Sequence, residues 1–168
     1  MRVFGITGRS GSGKTTLMVR LLPWLRQIGI SVSTVKQAHE RFDVDQPGKD
    51  SYEHRMAGAR EVMVASARRW ALMHEYRDHP EYTMDQLLAR MTPVDLVLVE
   101  GFRTWAHDRI EVVRASTGRD PLYPGDKRVV AVASDGPLPD CPVPVLDLDD
   151  VEAIGRLVLK HTKLEHRE

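Results

Sequence analysis

The chain has 168 residues, of which 42% are hydrophobic and 29% are charged, and its 24 lysine and arginine residues balance 24 aspartate and glutamate residues. This length and composition are typical of one globular domain, and they exclude intrinsic disorder and fibrous repeats. The zero net charge argues against a nucleic acid or an anionic membrane as partner, because proteins that bind these polyanions usually carry a basic excess. The single cysteine, Cys141, excludes an intrachain disulfide.

The predicted location follows from the apolar stretches of the chain. None of them approaches the roughly 20 residues that a membrane-spanning helix needs. The N-terminal residues reach Gly5 and Gly8 before a signal-peptide core could form. We therefore expect a cytoplasmic protein.

The first third of the chain predicts a βαβ unit. Residues 3–7 form a short apolar run before Gly8, which favours a buried strand, and residues 30–35 favour a second strand. Between them, apolar residues recur at helical spacing over residues 14–28; they are Leu17, Leu21, Leu22, Leu25 and Ile28. This order of strand, glycine-rich loop, helix and strand predicts a parallel sheet.

The middle of the chain predicts an insertion into that pattern. Residues 51–57 favour a short helix, and two strand-like runs follow at residues 61–67 and 69–76. The two runs are close enough to pair as a hairpin, so we expect a β-rich insertion around residues 60–76. Apolar spacing then predicts a helix over residues 83–91.

The rest of the chain returns to alternating strands and helices. Further strands are predicted at residues 96–99, 110–113, 129–133 and 145–146, and a last helix starts at Asp149 or Asp150. The predicted fold is α/β, with a mostly parallel sheet flanked by helices. We expect a single domain over residues 1–168 that ends in a polar tail at about residues 162–168.

Residues 8–15 read GRSGSGKT and satisfy the phosphate-loop pattern G-x-x-x-x-G-K-[ST] between a predicted strand and a predicted helix. The three glycines let the backbone wrap closely around an anion and direct its N–H groups at phosphate oxygens. The helix that begins near Lys14 adds the positive end of its dipole. We expect Lys14 to reach the β- and γ-phosphates and the Thr15 hydroxyl to coordinate Mg²⁺. The chain is thus predicted to have the fold of a P-loop NTPase.

An acidic residue ends a strongly apolar strand later in the chain. Glu100 and Gly101 follow the Leu-Val-Leu-Val run of residues 96–99, whereas Asp95 precedes it. P-loop proteins hold Mg²⁺ with an acid at such a place. We expect Glu100 to hold a water on Mg²⁺ or to position an attacking water; the alternative is an ordinary surface acid at a strand end.

A second polar loop leaves the second strand at the edge of the sheet where phosphates are expected. Within 15 residues it combines basic, acidic and histidine side chains, namely Lys36, His39, Asp43, Asp45, Lys49 and Asp50. Oxygen ligands beside a triphosphate suit Mg²⁺, and the lysines suit phosphate or a second anionic ligand. The spacing fits no zinc site, and an ordinary solvated loop is the alternative.

Three segments carry a family resemblance: residues 7–16 with the phosphate loop, residues 35–58 with the run DVDQPGKDS, and residues 98–103, LVEGFR. Together they resemble the MobB family, the molybdopterin-guanine dinucleotide biosynthesis adapter proteins. The resemblance covers essentially the whole chain. The phosphate loop is generic, and the Pro-Gly-Lys-Asp-Ser stretch is the more specific part.

The resemblance implies a GTP-binding, dimeric, cytoplasmic protein with weak or no GTPase activity of its own. It implies assistance to the MobA-type guanylyltransferase that joins GMP to molybdopterin, and contact with the molybdenum-insertion protein. By motif position, Lys36, Asp45 and Glu100 would line the cleft in which the nucleotide phosphates bind Gly8, Arg9, Ser10, Gly11, Ser12, Gly13, Lys14, Thr15 and Thr16.

The chain departs from the family in one respect. Members often carry a histidine-rich run after the lysine that corresponds to Lys36. Here Gln37 and Glu40 interrupt that run and leave His39, so a metal or anion site assigned to the run does not carry over.

The choice of base and the rate of hydrolysis are less directly encoded. Asp135 follows a late strand and is placed to read guanine, but the usual Asn/Thr-Lys-x-Asp pattern is absent, and a turn-stabilising role before Gly136 is the alternative. Arg9 and Arg103 are the candidates for a cation on the transition state. Since no glutamine stands out as a water-orienting residue, the sequence favours a switch or carrier over a fast hydrolase.

Two other function classes compete with the adapter. A small-molecule kinase would use the same loop for ATP and the insertion for an acceptor. A metallochaperone GTPase would need a soft-ligand metal site, against which Cys141 and the scattered histidines argue.

Overall fold

The computed structural model describes residues 1–38 and 42–164. Their contacts divide them into two compact units: the first joins Met1–Gln37 to the chain from Thr92 onward, and the second is Ala38–Met91. His39 and the last four residues of the predicted polar tail lie outside the described residues. No helix within these ranges has the length and the apolar composition of a membrane span.

Every strand and helix predicted from the sequence is present, and the hairpin expected around residues 60–76 is confirmed. Thr83 and Gln86 start the third helix with a capping box, and the Asp150 carboxylate caps the fourth by accepting from the N–H of Ala153. In chain order the elements are β1 (Arg2–Thr7), α1 (Lys14–Gln27), β2 (Val32–Lys36), α2 (Asp50–Met56), β3 (Glu61–Ala65), β4 (Trp70–His74), α3 (Met84–Leu88), β5 (Leu96–Glu100), β6 (Arg109–Val113), β7 (Val129–Ser134), β8 (Val145–Asp147) and α4 (Val151–Thr162).

The first unit is built on a six-stranded sheet in the order β2-β5-β1-β6-β7-β8, and every pairing in it is parallel. The sheet is parallel because helices lie between its buried strands in the sequence, and parallel pairing needs such crossover connections. The register places Ile6 of β1 beside Glu100 of β5, and Thr7 beside Glu111 of β6. The carboxyl ends of β2, β5, β1 and β6 therefore meet at one edge, where ligands bind in open α/β sheets.

The close packing of α1 on α4 depends on a glycine. Gly155 is buried in α4, and a Cβ atom at this position would run into the ring of Trp24 in α1. The two helices cover the same face of the sheet with residues such as Leu17, Leu21 and Ile154, all of which are at most 1% exposed. The absence of a side chain at position 155 thus sets the approach of the two helices.

We expect Gly155→Val to lower the free energy of unfolding by about 2 kcal/mol or more, because the added methyl groups would displace the Trp24 ring. Urea denaturation measures the change. Lys160→Val introduces the same side chain on the exposed face of α4 and should cost only the helix propensity of valine, about 0.5 kcal/mol. Equal stability of the two variants would contradict the close approach of the helices.

In the second unit, one arginine forms ion pairs with three acidic side chains. Arg55, on α2, forms ion pairs with Asp43 (2.6 Å), Glu75 (3.2 Å) and Asp45 (3.8 Å). A hydrogen bond from the backbone N–H of Asp45, and after it the contact with Arg55, hold the pKa of the Asp43 carboxyl below its usual range. The β3–β4 hairpin pairs Met63 with Leu72, and both side chains are exposed.

Candidate functional site

The phosphate loop has the backbone conformation that its glycines allow. Gly8, Gly11 and Gly13 have φ values of 143°, 81° and 98°, which residues with side chains rarely adopt. A Cβ atom on Gly8 would also lie 2.5 Å from the carbonyl oxygen of Val112. The loop therefore requires glycine at this position for reasons of both conformation and space.

Lys14 folds its side chain back over the loop. Its Nζ donates to the carbonyl oxygens of Gly8 (3.1 Å) and Arg9 (3.0 Å). Gly13 precedes α1 without a side-chain cap, so no capping side chain competes for the first N–H groups of the helix. An ammonium group and helix N–H groups at one place are what a phosphate group requires.

Thr15, Glu100 and Lys36 come together at the ends of three adjacent elements. The Thr15 hydroxyl lies 3.4 Å from both carboxylate oxygens of Glu100, and the Lys36 Nζ lies 3.8 Å from Glu100 Oε1. The pairing of Lys36 with Glu100 in the β2–β5 register explains the second contact.

These oxygen donors fit Mg²⁺. Neighbouring ligands of an octahedral magnesium ion are about 3 Å apart, since each lies about 2.1 Å from the metal. The Thr15 and Glu100 oxygens need to move little to reach that spacing. No cluster of three or more His, Cys, Asp or Glu side chains suitable for a metal occurs within residues 1–38 and 42–164. A magnesium ion here would therefore take most of its ligands from water and phosphate, as is usual for this ion.

Gln37, which follows β2 directly, holds the turn after β5 in place. Gln37 Oε1 accepts from the N–H of Phe102 at 2.7 Å, and a Cβ on Gly101 would lie 2.9 Å from Gln37 Cβ. Gly101 and Phe102 both have positive φ, 93° and 49°, and the Phe102 ring stacks on Trp105 with centroids 3.7 Å apart. Strained backbone that neighbouring contacts hold in place is common at functional sites.

These elements surround a cavity of about 250 Å³. The phosphate loop forms one wall, and the turn after β5 with Gln37 forms a second. A third wall comes from the loop between β6 and β7. The lining residues are Thr7, Gly8, Arg9, Ser10, Lys14, Gln37, Gly101, Arg103, Arg119 and Leu122.

A buried carboxylate fixes the third wall. Glu111 is fully buried, and its two oxygens accept from the backbone N–H groups of Leu122 (2.7 Å) and Tyr123 (2.8 Å). Burial raises the pKa of the Glu111 carboxyl, and the two N–H groups and Arg9 oppose that shift. Arg9 Nε also donates to the carbonyl oxygen of Asp120 at 2.9 Å. The β6–β7 loop is thereby tied to the sheet and to the phosphate loop.

Asp135, the residue predicted to read the base, is linked to the phosphate loop through Arg114. Asp135 accepts from the N–H of Ala115 (3.1 Å), and its carboxylate lies 3.6 Å from Arg114 Nη1. Arg114 Nε in turn donates to the carbonyl oxygen of Ser12 at 3.0 Å. Asp135 thus supports the phosphate loop through Arg114, and a role of its exposed carboxylate in reading the base stays a prediction.

The remaining predicted site residues belong to the second unit. Asp45 Oδ1 accepts from Ser51 Oγ at 2.9 Å, and its side chain is 7% exposed beside Arg55. Lys49 is exposed and precedes α2. Asp45 as a metal ligand and Lys49 as a phosphate contact remain predictions.

An imidazole is buried against β1. His107 is 9% exposed, its Nε2 has no hydrogen-bond partner among residues 1–38 and 42–164, and the ring occupies the space that a Gly5 side chain would need. Burial, with a smaller contribution from the Arg109 charge, lowers the pKa of His107 to about 4. Asp108, Asp126 and Arg128 are the other charged groups that act on it, the two aspartates raising its pKa and Arg128 lowering it.

His107 should make the fold sensitive to acid. Because its folded pKa of about 4 lies below the usual 6.5, the unfolded chain binds more protons between these values. The stabilisation is complete above pH 6.5 and is lost as the pH falls toward 4. Between pH 7 and 4.5 we expect the free energy of unfolding to fall by about 2 kcal/mol more in the wild type than in His107→Leu. Urea titrations at both pH values measure this, and parallel losses would contradict it.

The parallel sheet, the glycine-bent loop before α1 and the acid at the end of the adjacent strand define the P-loop NTPase fold. Similarity to known proteins shows which family within this class the chain belongs to. The family model for MobB, molybdopterin guanine dinucleotide synthesis protein B, matches residues 3–135, and the chain belongs to this family.

Individual relatives agree with that assignment. The chain is 45% identical over 154 residues to the molybdopterin-guanine dinucleotide biosynthesis adapter protein of Escherichia coli K12, covering 90% of this chain and 87% of that protein. The Haemophilus influenzae protein of the same name is 38% identical, with coverages of 93% and 86%. A crystal structure of molybdopterin-guanine biosynthesis protein B superposes with a TM-score of 0.74 at 28% identity, covering 94% of this chain and 98% of the other.

Proposed function

We propose that the chain is a GTP-binding adapter protein of molybdenum cofactor biosynthesis, which assists the attachment of GMP to molybdopterin. The single observation that carries this function is the phosphate loop with Lys14 folded over it, in a chain of the MobB family. The name of the Escherichia coli relative supplies the pathway and the adapter role. The preference for GTP over ATP comes from the family resemblance.

In this function, the chain's own residues hold and orient the nucleotide. The N–H groups of the loop and the ammonium of Lys14 bind the phosphates. Thr15 and Glu100 would hold Mg²⁺, which supplies charge neutralisation on the phosphate oxygens. Lys36 restrains the Glu100 carboxylate.

We propose that hydrolysis by the chain alone is weak. Gln37 lines the cavity, but its Oε1 already accepts from the N–H of Phe102. A nucleophilic water needs a free acceptor to orient it. Arg9 and Arg103, the candidates for a cation on the transition state, both line the cavity. The geometry favours a protein that holds its nucleotide for a partner enzyme.

We propose further that the protein is a cytoplasmic homodimer whose partners are a MobA-type guanylyltransferase and the molybdenum-insertion protein. Support for self-association comes from the β3–β4 hairpin. Met63 and Trp70 are 62% and 63% exposed, and Leu72 is 42% exposed. These residues occupy one face of a two-stranded sheet, which is marginal on its own. Sedimentation of wild type and Met63→Asp tests the dimer; a concentration-independent wild-type monomer would contradict it.

The adapter function is tested by adding the purified full chain to a MobA-type guanylyltransferase with GTP and molybdopterin. We expect a higher yield of the dinucleotide, and no increase with Lys14→Ala. Binding of Mg·ATP in preference to Mg·GTP, with stoichiometric phosphorylation of a metabolite at about 1 s⁻¹ or faster, would instead identify a small-molecule kinase.

A further inference from the structure

The cavity beside the phosphate loop is more cationic than one triphosphate needs. Its ten lining residues within the described chain include Lys14, Arg9, Arg103 and Arg119, and no aspartate or glutamate. Arg103 and Arg119 come from different loops, after β5 and after β6, and converge on one space of about 250 Å³.

The charges can be compared group by group. A magnesium-bound triphosphate carries about two negative charges. Lys14 supplies one positive charge and the start of α1 about half of another, while Lys36 and Glu100 offset each other at 3.8 Å. The three arginines come in addition, and Glu111 beneath Arg9 offsets about one of them. About one and a half positive charges therefore remain, which is close to the charge of one phosphomonoester at neutral pH, about −1.5 to −2.

The arginine on the far wall belongs to a loop held in place at several points. The Glu111 carboxylate accepts from the N–H groups of Leu122 and Tyr123, and Arg9 Nε donates to the carbonyl oxygen of Asp120. Because these anchors flank the stretch from Asp120 to Tyr123, the backbone next to Arg119 is restrained. Arg9 uses Nε in this contact, and a guanidinium group carries four further N–H donors on its two Nη atoms, which can bind an anion.

We propose that Arg9, Arg103 and Arg119 form a second anion subsite beside the triphosphate, which takes a phosphomonoester dianion. Arginine suits this ligand because its planar fork binds two phosphate oxygens at once. The inference rests on the proposed function. A dinucleotide is assembled from two phosphate-bearing halves. An adapter that holds the nucleotide half at Lys14 would bind the phosphate of the second half at this subsite.

The test is a titration of the full chain, saturated with Mg²⁺ and a non-hydrolysable GTP analogue, with inorganic phosphate and, separately, with phenyl phosphate. We expect one phosphate to bind per chain without displacing the nucleotide. Arg119→Gln should weaken this binding at least tenfold, and Arg119→Lys should restore part of it, because the charge remains while the bidentate contact is lost. Arg156→Gln, an exposed residue of α4, is the matched control and should bind phosphate like the wild type.

Each result bears on the subsite. Tighter binding of phenyl phosphate than of inorganic phosphate would support the phosphate of an organic substrate as the ligand, and the reverse would support orthophosphate. Competition between phosphate and the analogue, or no phosphate binding at about 10 mM, would contradict the second subsite. The arginines would then bind the γ-phosphate of the nucleotide. Failure of the analogue itself to bind would instead refute the proposed function, and calorimetry without phosphate detects this separately.

Discussion

Replacing Lys14 with alanine is expected to lower the affinity for Mg·GTP by about 100-fold. The Lys14 ammonium lies over the loop with carbonyl contacts at 3.0 and 3.1 Å, from which it can turn to phosphate oxygens. The charge-assisted hydrogen bonds that it would make there are each worth about 1.5–3 kcal/mol, and a loss of about 2.7 kcal/mol corresponds to a factor of 100. Isothermal titration calorimetry measures the affinity.

The control for this prediction is Lys160→Ala, which removes a lysine from the exposed face of α4. It should bind Mg·GTP like the wild type. The thermal unfolding temperature of Lys14→Ala without nucleotide should also change little, because the hydrogen bonds of the Lys14 ammonium go to loop carbonyls. Equal affinities of wild type and Lys14→Ala would refute nucleotide binding by the loop.

Replacing Glu100 with alanine should abolish the benefit that Mg²⁺ gives to nucleotide binding. In the presence of Mg²⁺ we expect a loss of affinity of about 30-fold, because the carboxylate that faces Thr15 would no longer hold the ion. In EDTA the loss should vanish or reverse, since a carboxylate repels a bare triphosphate. Titrations with and without Mg²⁺ measure both values.

Asp95→Ala provides the matched control for Glu100. Asp95 precedes β5 at the opposite end of the same strand and accepts from Ser31 there. Its replacement is expected to lower stability without changing the dependence of GTP affinity on Mg²⁺. If Glu100→Ala weakened binding equally with and without Mg²⁺, the carboxylate would serve the fold and not the metal.

The parts of the site predicted from the sequence are those whose chemistry is local. Eight residues, Gly8 to Thr15, carry the loop conformation, the ammonium and the hydroxyl together, so the pattern is readable without the rest of the fold. The strand before Glu100 was predictable because β5 is buried on both faces, which requires an uninterrupted apolar run.

The far wall of the cavity was not predicted, because long-range contacts create it. Arg119 and Leu122 stand in an irregular loop whose course depends on Glu111, 11 residues before Leu122. In the sequence Gln37 only interrupts a histidine-rich run, and its contact with Phe102 spans 65 residues. One signal was available: Arg109 and Glu111 alternate with apolar residues in β6, and charged side chains inside a central strand need specific partners.

The central claim is that the backbone N–H groups of the loop from Gly8 to Thr15 grip the phosphates, and amide NMR spectra of the ¹⁵N-labelled chain test it most directly. On addition of Mg·GTP we expect the largest shift changes at Gly11, Gly13 and Lys14, with saturation at one nucleotide per chain. Saturable binding that left these three amide signals in place and moved signals elsewhere would contradict the claim.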